Sequence, residues 1–270
     1  MGFMTGMKGN KAYAAHAKGN LAEARRLYEE AYQEGINVPK ILLGYSVLLL
    51  RSEEYDKALE VLRRVEKAPG LVPDQRTQML TNYAIVCWKQ GRTERAVEVM
   101  QELDRKKKNG TIYGTLGFLL IEKGDAEEAL RYNQEAVEYD EEDPVFLDNM
   151  GQTYYRVLGD KEKAKPYFEK ALKFKPSAID TNYFLALYDI EAGNKPAAIE
   201  KLRTSAKGKF SPLNYARPEI CLLYTSPTGQ GILMANLEVA RPLYMLASSA
   251  LISVGMTLLG VCMFQKKDLK

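Results

Sequence analysis

The chain has 270 residues, of which 46% are hydrophobic and 27% charged, and this composition is typical of a soluble protein. Its 38 basic and 35 acidic residues nearly balance, which excludes the strongly basic face of a typical nucleic-acid reader. The three cysteines, Cys87, Cys221 and Cys262, are too scattered for a zinc site or a disulfide framework, and they fit a reducing compartment.

A short repeat runs through most of the chain. A Gly-x4-Ala pattern recurs, and its alanine returns at spacings of 34, 38, 33, 35 and 34 residues, at Ala24, Ala58, Ala96, Ala129, Ala164 and Ala198. A period of this length indicates a repeat architecture, in which each unit is one small supersecondary structure. A single helix pair cannot bury its apolar face, so we expect the units to stack.

The first unit is the weakest in sequence. Residues Met1–Asn10 contain three glycines and no long apolar run, so they do not resemble a signal peptide, and we expect a frayed start. The first helix is predicted over Tyr13–Lys18, and it carries the chain's one histidine, His16, which is expected at the surface. A stronger helix is predicted over Glu23–Gln33, where the apolar residues share one face.

Loops and charged runs separate the middle units. Ala68–Asp74 contains two prolines and a glycine, which forbid a continuous helix, and Pro73 suits the first turn of the next helix. The basic run Arg105–Lys108 is predicted at a helix C-terminus, and the acidic run Asp140–Asp143 just before a helix N-terminus. Each sign of charge suits the helix dipole at its place, and a docking patch for a charged partner is the alternative for both runs.

The fourth unit shows how a helix pair is built. The run from Tyr113 to Leu120 places apolar and small residues on one helical face, and Gly124 ends that helix. Gly117 and Ala129 are small enough to let the two helices cross closely. A larger side chain at either position is expected to cost roughly 1 to 3 kcal/mol through overpacking.

The fifth unit carries the most complete motif. It reads Leu147-x2-Met150-Gly151-x2-Tyr154, followed by Ala164-x3-Phe168, Ala171 and Pro176. This sequence resembles the tetratricopeptide repeat pattern of Trp-x2-Leu-Gly-x2-Tyr, then Ala-x3-Phe, then Pro, and residues 8–207 repeat that pattern in graded form. The resemblance implies an all-α fold, a right-handed α-solenoid of six helix-turn-helix units over residues 1–207, of which the first is degenerate.

Three positions depart from the family pattern. Asn133 stands where an aromatic residue is usual, Asp189 interrupts the apolar face of the sixth unit, and Leu158 is one extra residue before Gly159. The departures are local, and six units remain in phase.

The resemblance also implies a binding surface. In this family the first helices of successive units line a concave groove that holds an extended peptide or a partner helix. Helical phase predicts that apolar residues line this groove with two basic ones, and an exposed apolar stripe favours an interaction site. The predicted groove residues are Leu43, Val47, Leu50, Ile85, Trp88, Lys89, Phe118, Ile121, Tyr155, Arg156, Tyr183 and Leu187. The alternative is that the curvature of the solenoid or neighbouring repeats bury several of them.

The periodicity stops after Lys207. Residues 208–236 contain several prolines and glycines and are predicted to be a linker. Residues 237–265 are predicted to form a transmembrane helix, because residues 242–264 carry no charge and span roughly 34 Å as a helix, against a hydrocarbon core of about 30 Å. Residues 266–270 form a basic tail. We expect a tail anchor that leaves the repeats in the cytoplasm, although the lysines of the tail alone favour a cytoplasmic C-terminus.

The tail has two possible origins. Cys221–Ser226 can be encoded by TGTCTCTTATACACATCT, which resembles the mosaic-end sequence that transposase-based library preparation adds to DNA. The stretch lies between the end of the repeats and the apolar segment, so it is either a natural linker or a sequencing artefact. The source DNA decides, since any other codon choice excludes the artefact.

The sequence predicts a binding protein and not an enzyme. Known catalytic motifs, clustered metal ligands and glycine loops that cradle phosphate are missing from the sequence, so we expect no cofactor, no metal and no small-molecule substrate. The first hypothesis is a scaffold that binds a protein or peptide in the groove and is tethered to a membrane through residues 242–264. The alternative is a regulatory or targeting subunit of an enzyme encoded by another chain. Nucleic acid is not expected as a partner.

Overall fold

The computed structural model describes residues 2–225, and this part of the chain contains thirteen helices and no strand. The helices are α1 Phe3–Ala17, α2 Leu21–Gln33, α3 Pro39–Arg51, α4 Tyr55–Glu66, α5 Pro73–Lys89, α6 Thr93–Lys106, α7 Gly110–Lys123, α8 Ala126–Tyr139, α9 Pro144–Gln152, α10 Lys161–Phe174, α11 Ile179–Glu191, α12 Lys195–Ala206 and α13 Pro218–Thr225. The first twelve pair as six successive hairpins, which confirms the predicted solenoid of six units.

Small residues lie where the helices of each hairpin cross. The six alanines that mark the repeat have no exposed surface, namely Ala24, Ala58, Ala96, Ala129, Ala164 and Ala198. In the fourth unit, a Cβ atom on Gly117 would lie 2.1 Å from Oδ1 of Asn133 on the facing helix. A side chain cannot enter that space unless the neighbour moves. Close crossing of the two helices therefore depends on these small residues.

The turn of each hairpin passes through one residue with a left-handed backbone. Gly124 has a φ of 81° and ends α7 by donating its N–H to the carbonyls of Leu120 and Ile121. Glycine adopts this conformation without a steric clash because it has no Cβ. The second unit has Glu53 at the same place, with a φ of 60°, and it is the one non-glycine residue with positive φ in the described chain.

Replacing Glu53 with glycine should raise the free energy of unfolding. A left-handed conformation costs an ordinary residue about 1 to 2 kcal/mol, and the greater freedom of glycine in the unfolded chain offsets part of this, so we expect a net gain of about 0.5 to 1 kcal/mol. Urea unfolding followed by circular dichroism measures it. Ser52→Gly is the matched control, because Ser52 has an ordinary φ of −91° and should gain nothing. Equal effects of the two changes would contradict the argument.

The N-terminus is more regular than its glycines suggest. The predicted frayed start is wrong, since α1 begins at Phe3 and not near Tyr13. Gly9 is buried, and a Cβ there would lie 3.0 Å from Cγ2 of Ile41, so the glycine allows α1 to pack closely on the second unit. The Thr5 hydroxyl donates to the Glu34 carboxylate at 3.0 Å. These contacts hold residues that have little helix propensity of their own.

The expected surface position of His16 is also wrong. The imidazole is half-buried and meets the ring of Tyr28 edge-on, with 5.9 Å between ring centroids. Burial lowers the pKa of His16, because the charged form loses its hydration. Its ring therefore belongs to the packing of the first hairpin.

The middle helix boundaries agree with the sequence. α5 begins at Pro73, α6 ends at Lys106, and Asp143 caps α9 by accepting from the N–H groups of Val145 and Phe146 at 2.7 and 3.4 Å. The two charged runs thus lie at the helix ends predicted for them.

A π turn accommodates the extra residue of the fifth unit. α9 continues into Thr153–Val157 as one wider turn, in which the N–H of Leu158 donates to the carbonyl of Thr153 at 3.0 Å. A bond that closes five residues back, instead of four, takes in one additional residue. The insertion at Leu158 is therefore absorbed within the helix, and the following turn at Gly159 keeps its place.

Asn133, another of the departures from the family pattern, is fully buried. Its Nδ2 lies within hydrogen-bonding distance of the carbonyls of Gly117 and Ala129, at 3.3 and 3.1 Å, and of Oγ1 of Thr153 at 3.1 Å. Its Oδ1 has no hydrogen-bond partner within the described chain. The amide thus joins the fourth hairpin to the π turn of the fifth.

Residues 208–225, which the sequence predicts as part of a linker, pack on the solenoid. Ala216 and Cys221 are buried, and both belong to the hydrophobic cluster of the last two hairpins. Apolar side chains between the prolines account for this packing.

The predicted transmembrane helix, residues 237–265, lies outside the described residues. Within residues 2–225, the structure contains no helix of the length and apolarity that a membrane span requires.

Candidate functional site

The predicted groove residues lie on the first helices of units two to six, and none of the twelve is fully exposed. Five are half-buried, namely Val47, Trp88, Lys89, Tyr155 and Arg156. Seven are buried, namely Leu43, Leu50, Ile85, Phe118, Ile121, Tyr183 and Leu187. The expectation that they face solvent is wrong for these seven, because their side chains pack between repeats. Whether the set contacts a partner stays a prediction.

Trp88 is held between two neighbours. The Phe118 ring meets it edge-on, with 5.0 Å between ring centroids, and the ammonium group of Lys89 lies 4.0 Å from its ring centroid. Burial lowers the pKa of Lys89 to about 8, and the nearby charge of Arg217 contributes to the lowering. Trp88 therefore supports the packing of units three and four, and part of its side chain remains exposed.

Tyr155 and Arg156 lie side by side on the π turn. The Tyr155 ring lies 5.1 Å from the Phe184 ring, centroid to centroid. Arg156 donates to Oε1 of Glu122 at 2.6 Å and to Oε1 of Gln152 at 2.9 Å. The ion pair with Glu122 joins the fifth unit to the fourth, so the Arg156 guanidinium already has a charged partner within the chain.

A stretch of the chain itself covers part of the predicted groove. Residues 210–217, which we call the crossing segment, run from the end of the sixth unit back over the first helices of earlier units. Leu213 packs against the hydrophobic cluster to which the third unit contributes Met79 and Ile85. Arg217 donates to Oε1 of Glu53 in the second unit at 3.4 Å. The crossing segment thus contacts units that are far apart in sequence.

One buried carboxylate holds the crossing segment. Asp180 on α11 is 6% exposed, and its oxygens accept from the N–H of Tyr215 at 3.1 Å and from the N–H of Ala216 at 2.9 Å. A third hydrogen bond comes from Nδ2 of Asn214 at 3.0 Å. Three donors on one carboxylate fix the backbone of the segment at this point.

The side chain of Tyr215 fills a slot beside that carboxylate. Its ring stacks on Phe184, with centroids 5.2 Å apart and planes at 21°, and the Arg156 guanidinium carbon lies 3.9 Å from its centroid. Ala216, the next residue, is buried. The slot therefore holds an aromatic ring followed by a small residue.

A second buried carboxylate lies close to the first. Asp148 on α9 accepts from Oγ1 of Thr181 at 2.6 Å and from Nε2 of Gln152 at 2.7 Å. Burial raises the pKa of Asp148, and the charge of Asp180 raises it further. Burial also raises the pKa of Asp180, against the hydrogen bonds from Ala216, Asn214 and Tyr215. The two acids thus hold protons more readily than exposed aspartates do.

Replacing Asp148 with asparagine should remove a pH dependence of stability. Folded Asp148 keeps its proton at a pH where the unfolded chain has released it, so its contribution to the free energy of unfolding falls as pH rises. That fall begins near pH 4, the ordinary aspartate pKa, ends at the raised pKa, and amounts to about 1.4 kcal/mol for each pH unit between those two pKa values. Asparagine does not titrate. Urea unfolding at pH 5 and pH 8 should therefore show the variant gaining on the wild type, and a constant difference would contradict the raised pKa.

An open cleft of about 910 Å³ lies beside the crossing segment, between the N-terminal parts of α7, α9 and α11. Lys175, Lys207 and Lys209 line it, and these three make no ion pair with any residue between 2 and 225. The acids of the lining are engaged: Asp143 caps α9, and Asp148 and Asp180 accept the hydrogen bonds described above. The cleft thus offers free cations to whatever enters it.

Sequence reasoning did not identify Asp180, the crossing segment or the three lysines. Asp180 is an ordinary first-turn acid in the sequence. The one available indication was that Phe210, Leu213 and Tyr215 interrupt a stretch otherwise typical of a linker. Across the described residues, the structure also groups no three metal-ligating side chains.

The chain is similar in sequence to known repeat families. Three family models described as tetratricopeptide repeat match it, at residues 15–71, at residues 79–102, and at residues 110–143 and 146–177. A comparison with curated proteins gives no match.

Solved structures share the fold at low sequence identity. A tetratricopeptide repeat protein from Parabacteroides merdae is 14% identical, with 86% of this chain and 84% of that chain covered and a TM-score of 0.66. PilW, a type IV pilus biogenesis factor, is 15% identical, with 86% of this chain and 100% of that chain covered and a TM-score of 0.60. A thermophilic repeat protein from Thermus thermophilus is 21% identical, with 63% and 91% covered and a TM-score of 0.53. These likenesses concern the fold alone.

Proposed function

The chain belongs to the tetratricopeptide repeat family, whose members generally act as scaffolds for protein–protein interaction, and on that premise we propose that its open cleft binds an extended acidic segment of a partner protein. The observation that carries the proposal is the set of three unpaired lysines, Lys175, Lys207 and Lys209, around a cleft whose acids are already engaged.

The floor of the cleft favours an extended chain. Gly110 and Gly114 on α7 line it, as does Thr115, so little side-chain bulk rises from that helix. Val145 is 46% exposed and supplies an apolar contact at the edge. We expect an extended segment to lie along this open face, against Val145, with its acidic side chains reaching the lysines.

The groove residues predicted from the sequence take a supporting part in this proposal. Trp88 and Tyr155 are half-buried and pack on other rings, so truncating either one should lower stability together with any binding. Surface charges of the cleft are better probes, because reversing them leaves the core intact.

Reversing the three lysines should weaken partner capture. Lys175→Glu, Lys207→Glu and Lys209→Glu together place repulsive charges in the cleft, and we expect the yield of the bound partner to fall at least about tenfold, or ~1.4 kcal/mol. The measurement is a pull-down with the full chain, with the bound proteins identified by mass spectrometry. The loss should shrink at high salt, because exposed charges are screened.

Lys18, Lys106 and Lys107 provide the control. They are exposed, lie at or next to helix C-termini outside the cleft, and make no ion pair among the described residues. Their reversal to glutamate should leave capture unchanged. Equal loss in both triple variants would show that overall charge, and not the cleft, governs binding.

The alternative function is that of a regulatory or targeting subunit. The same pull-down separates the two, because an enzyme captured in a cleft-dependent way would favour the subunit and a non-enzymatic partner the scaffold. A membrane tether through residues 242–264 rests on the sequence alone, and carbonate extraction of a membrane fraction tests it.

A further inference from the structure

We propose that Asp180 and the aromatic slot beside it form a second recognition site, for a peptide that bends as the chain does at Tyr215 and Ala216 and carries an aromatic residue followed by a small one, and that the crossing segment occupies this site in cis. The inference goes beyond the proposed function, because it concerns what Asp180, at the wall of the open cleft, binds beneath the crossing segment, and not what the lysines of the cleft bind.

The backbone contacts are those of peptide recognition. Two consecutive N–H groups, of Tyr215 and Ala216, donate to one carboxylate, and no side chain of the segment is needed for those two bonds. A peptide that makes the same bend as Tyr215 and Ala216 presents two such groups to Asp180, so the site has affinity for a backbone of that shape.

Specificity comes from the two side-chain positions. The ring at position 215 lies between Phe184 and the Arg156 guanidinium, at 5.2 and 3.9 Å, which selects an aromatic side chain over an aliphatic one. The side chain at position 216 is 2% exposed, so a large residue does not fit there. The site is therefore expected to bind a peptide in which an aromatic residue is followed directly by a small one.

Outside these positions the crossing segment is loosely held. Phe210 and Leu213 are half-buried, and the ion pair between Arg217 and Glu53 has side chains that are 48% and 66% exposed. Exposed ion pairs contribute little. The segment connects two packed helices, α12 and α13, so it can leave the site without unfolding them. Its tethering gives it a high effective concentration, which a competing peptide must overcome.

The test uses the full chain in a mild detergent and a fluorescent peptide with the sequence of residues 209–220. The peptide should bind the wild type weakly, because the crossing segment competes. Tyr215→Ala empties the aromatic slot, and we expect the peptide to bind this variant at least about tenfold more tightly than the wild type. Tyr13→Ala, a change of the same kind on α1, should behave as the wild type.

Two further arms test the chemistry of the site. A peptide that carries alanine in place of the tyrosine should bind the Tyr215→Ala protein at least about tenfold more weakly. Adding Asp180→Asn to that protein should also weaken binding, with circular dichroism to show that the double variant is folded. If the double variant does not fold, the comparison of the two peptides on the Tyr215→Ala protein is sufficient to test the proposal.

Proteolysis gives an independent readout. Trypsin should cleave after Lys209 faster in Tyr215→Ala than in the wild type, and added peptide should not restore the protection of the displaced segment. Equal peptide affinity for all proteins, or equal binding of both peptides, would overturn the proposal. So would a concentration-dependent dimer of the wild type that Tyr215→Ala abolishes, because it would assign the site to exchange between copies. Lysine-dependent partner capture is measured with the charge-reversal variants alone, in which Tyr215 and Asp180 are unchanged, so failure here and failure of the proposed function are told apart.

Discussion

Truncating Phe168 to alanine should lower the free energy of unfolding by about 3 to 5 kcal/mol, the usual cost of removing a fully buried phenylalanine ring. Phe168 on α10 has no exposed surface. Its ring stacks on Phe184 of the sixth unit, with centroids 5.0 Å apart and planes at 8°. The deletion therefore opens a cavity between two repeats, and neighbouring repeats supply much of each other's stability.

Phe174, at the end of the same helix, is the matched control. It is 42% exposed, so Phe174→Ala should cost far less than Phe168→Ala in urea unfolding followed by circular dichroism. Similar costs for the two would mean that the interface between the fifth and sixth units contributes little. Because Phe184 also supports the ring of Tyr215, Phe168→Ala should expose the crossing segment to trypsin as well.

Adding a single methyl group at Gly151, by the change Gly151→Ala, should lower the free energy of unfolding by about 1 to 3 kcal/mol through overpacking. A Cβ at this position would lie 2.6 Å from Cε1 and 2.7 Å from Cδ1 of Phe168, distances that real Cβ atoms do not adopt. The ring has no room to move, because Phe184 stacks on it. Gly151→Ala should therefore lower the midpoint of urea unfolding.

Gly6→Ala serves as the control for Gly151→Ala. No atom lies within 4 Å of a Cβ at Gly6, and the residue is inside α1, so we expect a gain of about 0.5 to 1 kcal/mol from helix propensity. If the free energy of unfolding falls for Gly151→Ala and rises for Gly6→Ala, the difference is due to packing, because the chemical change is the same. A gain at both positions would show that α9 and α10 are less tightly packed than the structure indicates.

Combining Gly151→Ala with Phe168→Ala sharpens the same test. Once the ring is gone, the methyl group enters the vacated space, so the double variant should be more stable than the sum of the single effects by about 1 kcal/mol or more. Additive effects would show that the two residues do not share that space.

Local motifs were sufficient to predict the solenoid. The marker alanines, the turn at Gly124 and the close helix crossing at Gly117 follow from short-range patterns, because each repeat packs mainly on its neighbours. Helical phase also located the groove residues on the first helices. It could not show that Tyr183 or Leu187 is buried, since phase defines a face and not what covers it.

The candidate sites depended on contacts that no local pattern encodes. The crossing segment has the prolines and glycines of a linker, and the residue that holds it, Asp180, lies more than thirty positions earlier in the chain. The helical start at Phe3 was missed for a related reason, because Gly9 is favoured there by Ile41 of the second unit and not by helix propensity. In each case tertiary packing outweighed intrinsic preference.

The contact between Arg217 and Glu53 joins residues 164 positions apart. Contacts in a linear repeat array are short-range in sequence, so its mean contact order is low and folding can begin at any unit. Closing a loop of this length costs less entropy once the intervening hairpins have formed, because they bring its ends together. The crossing segment therefore adds a late, topologically long-range step to the folding of an otherwise local array, and it links the fraying of the last repeat to the state of the second.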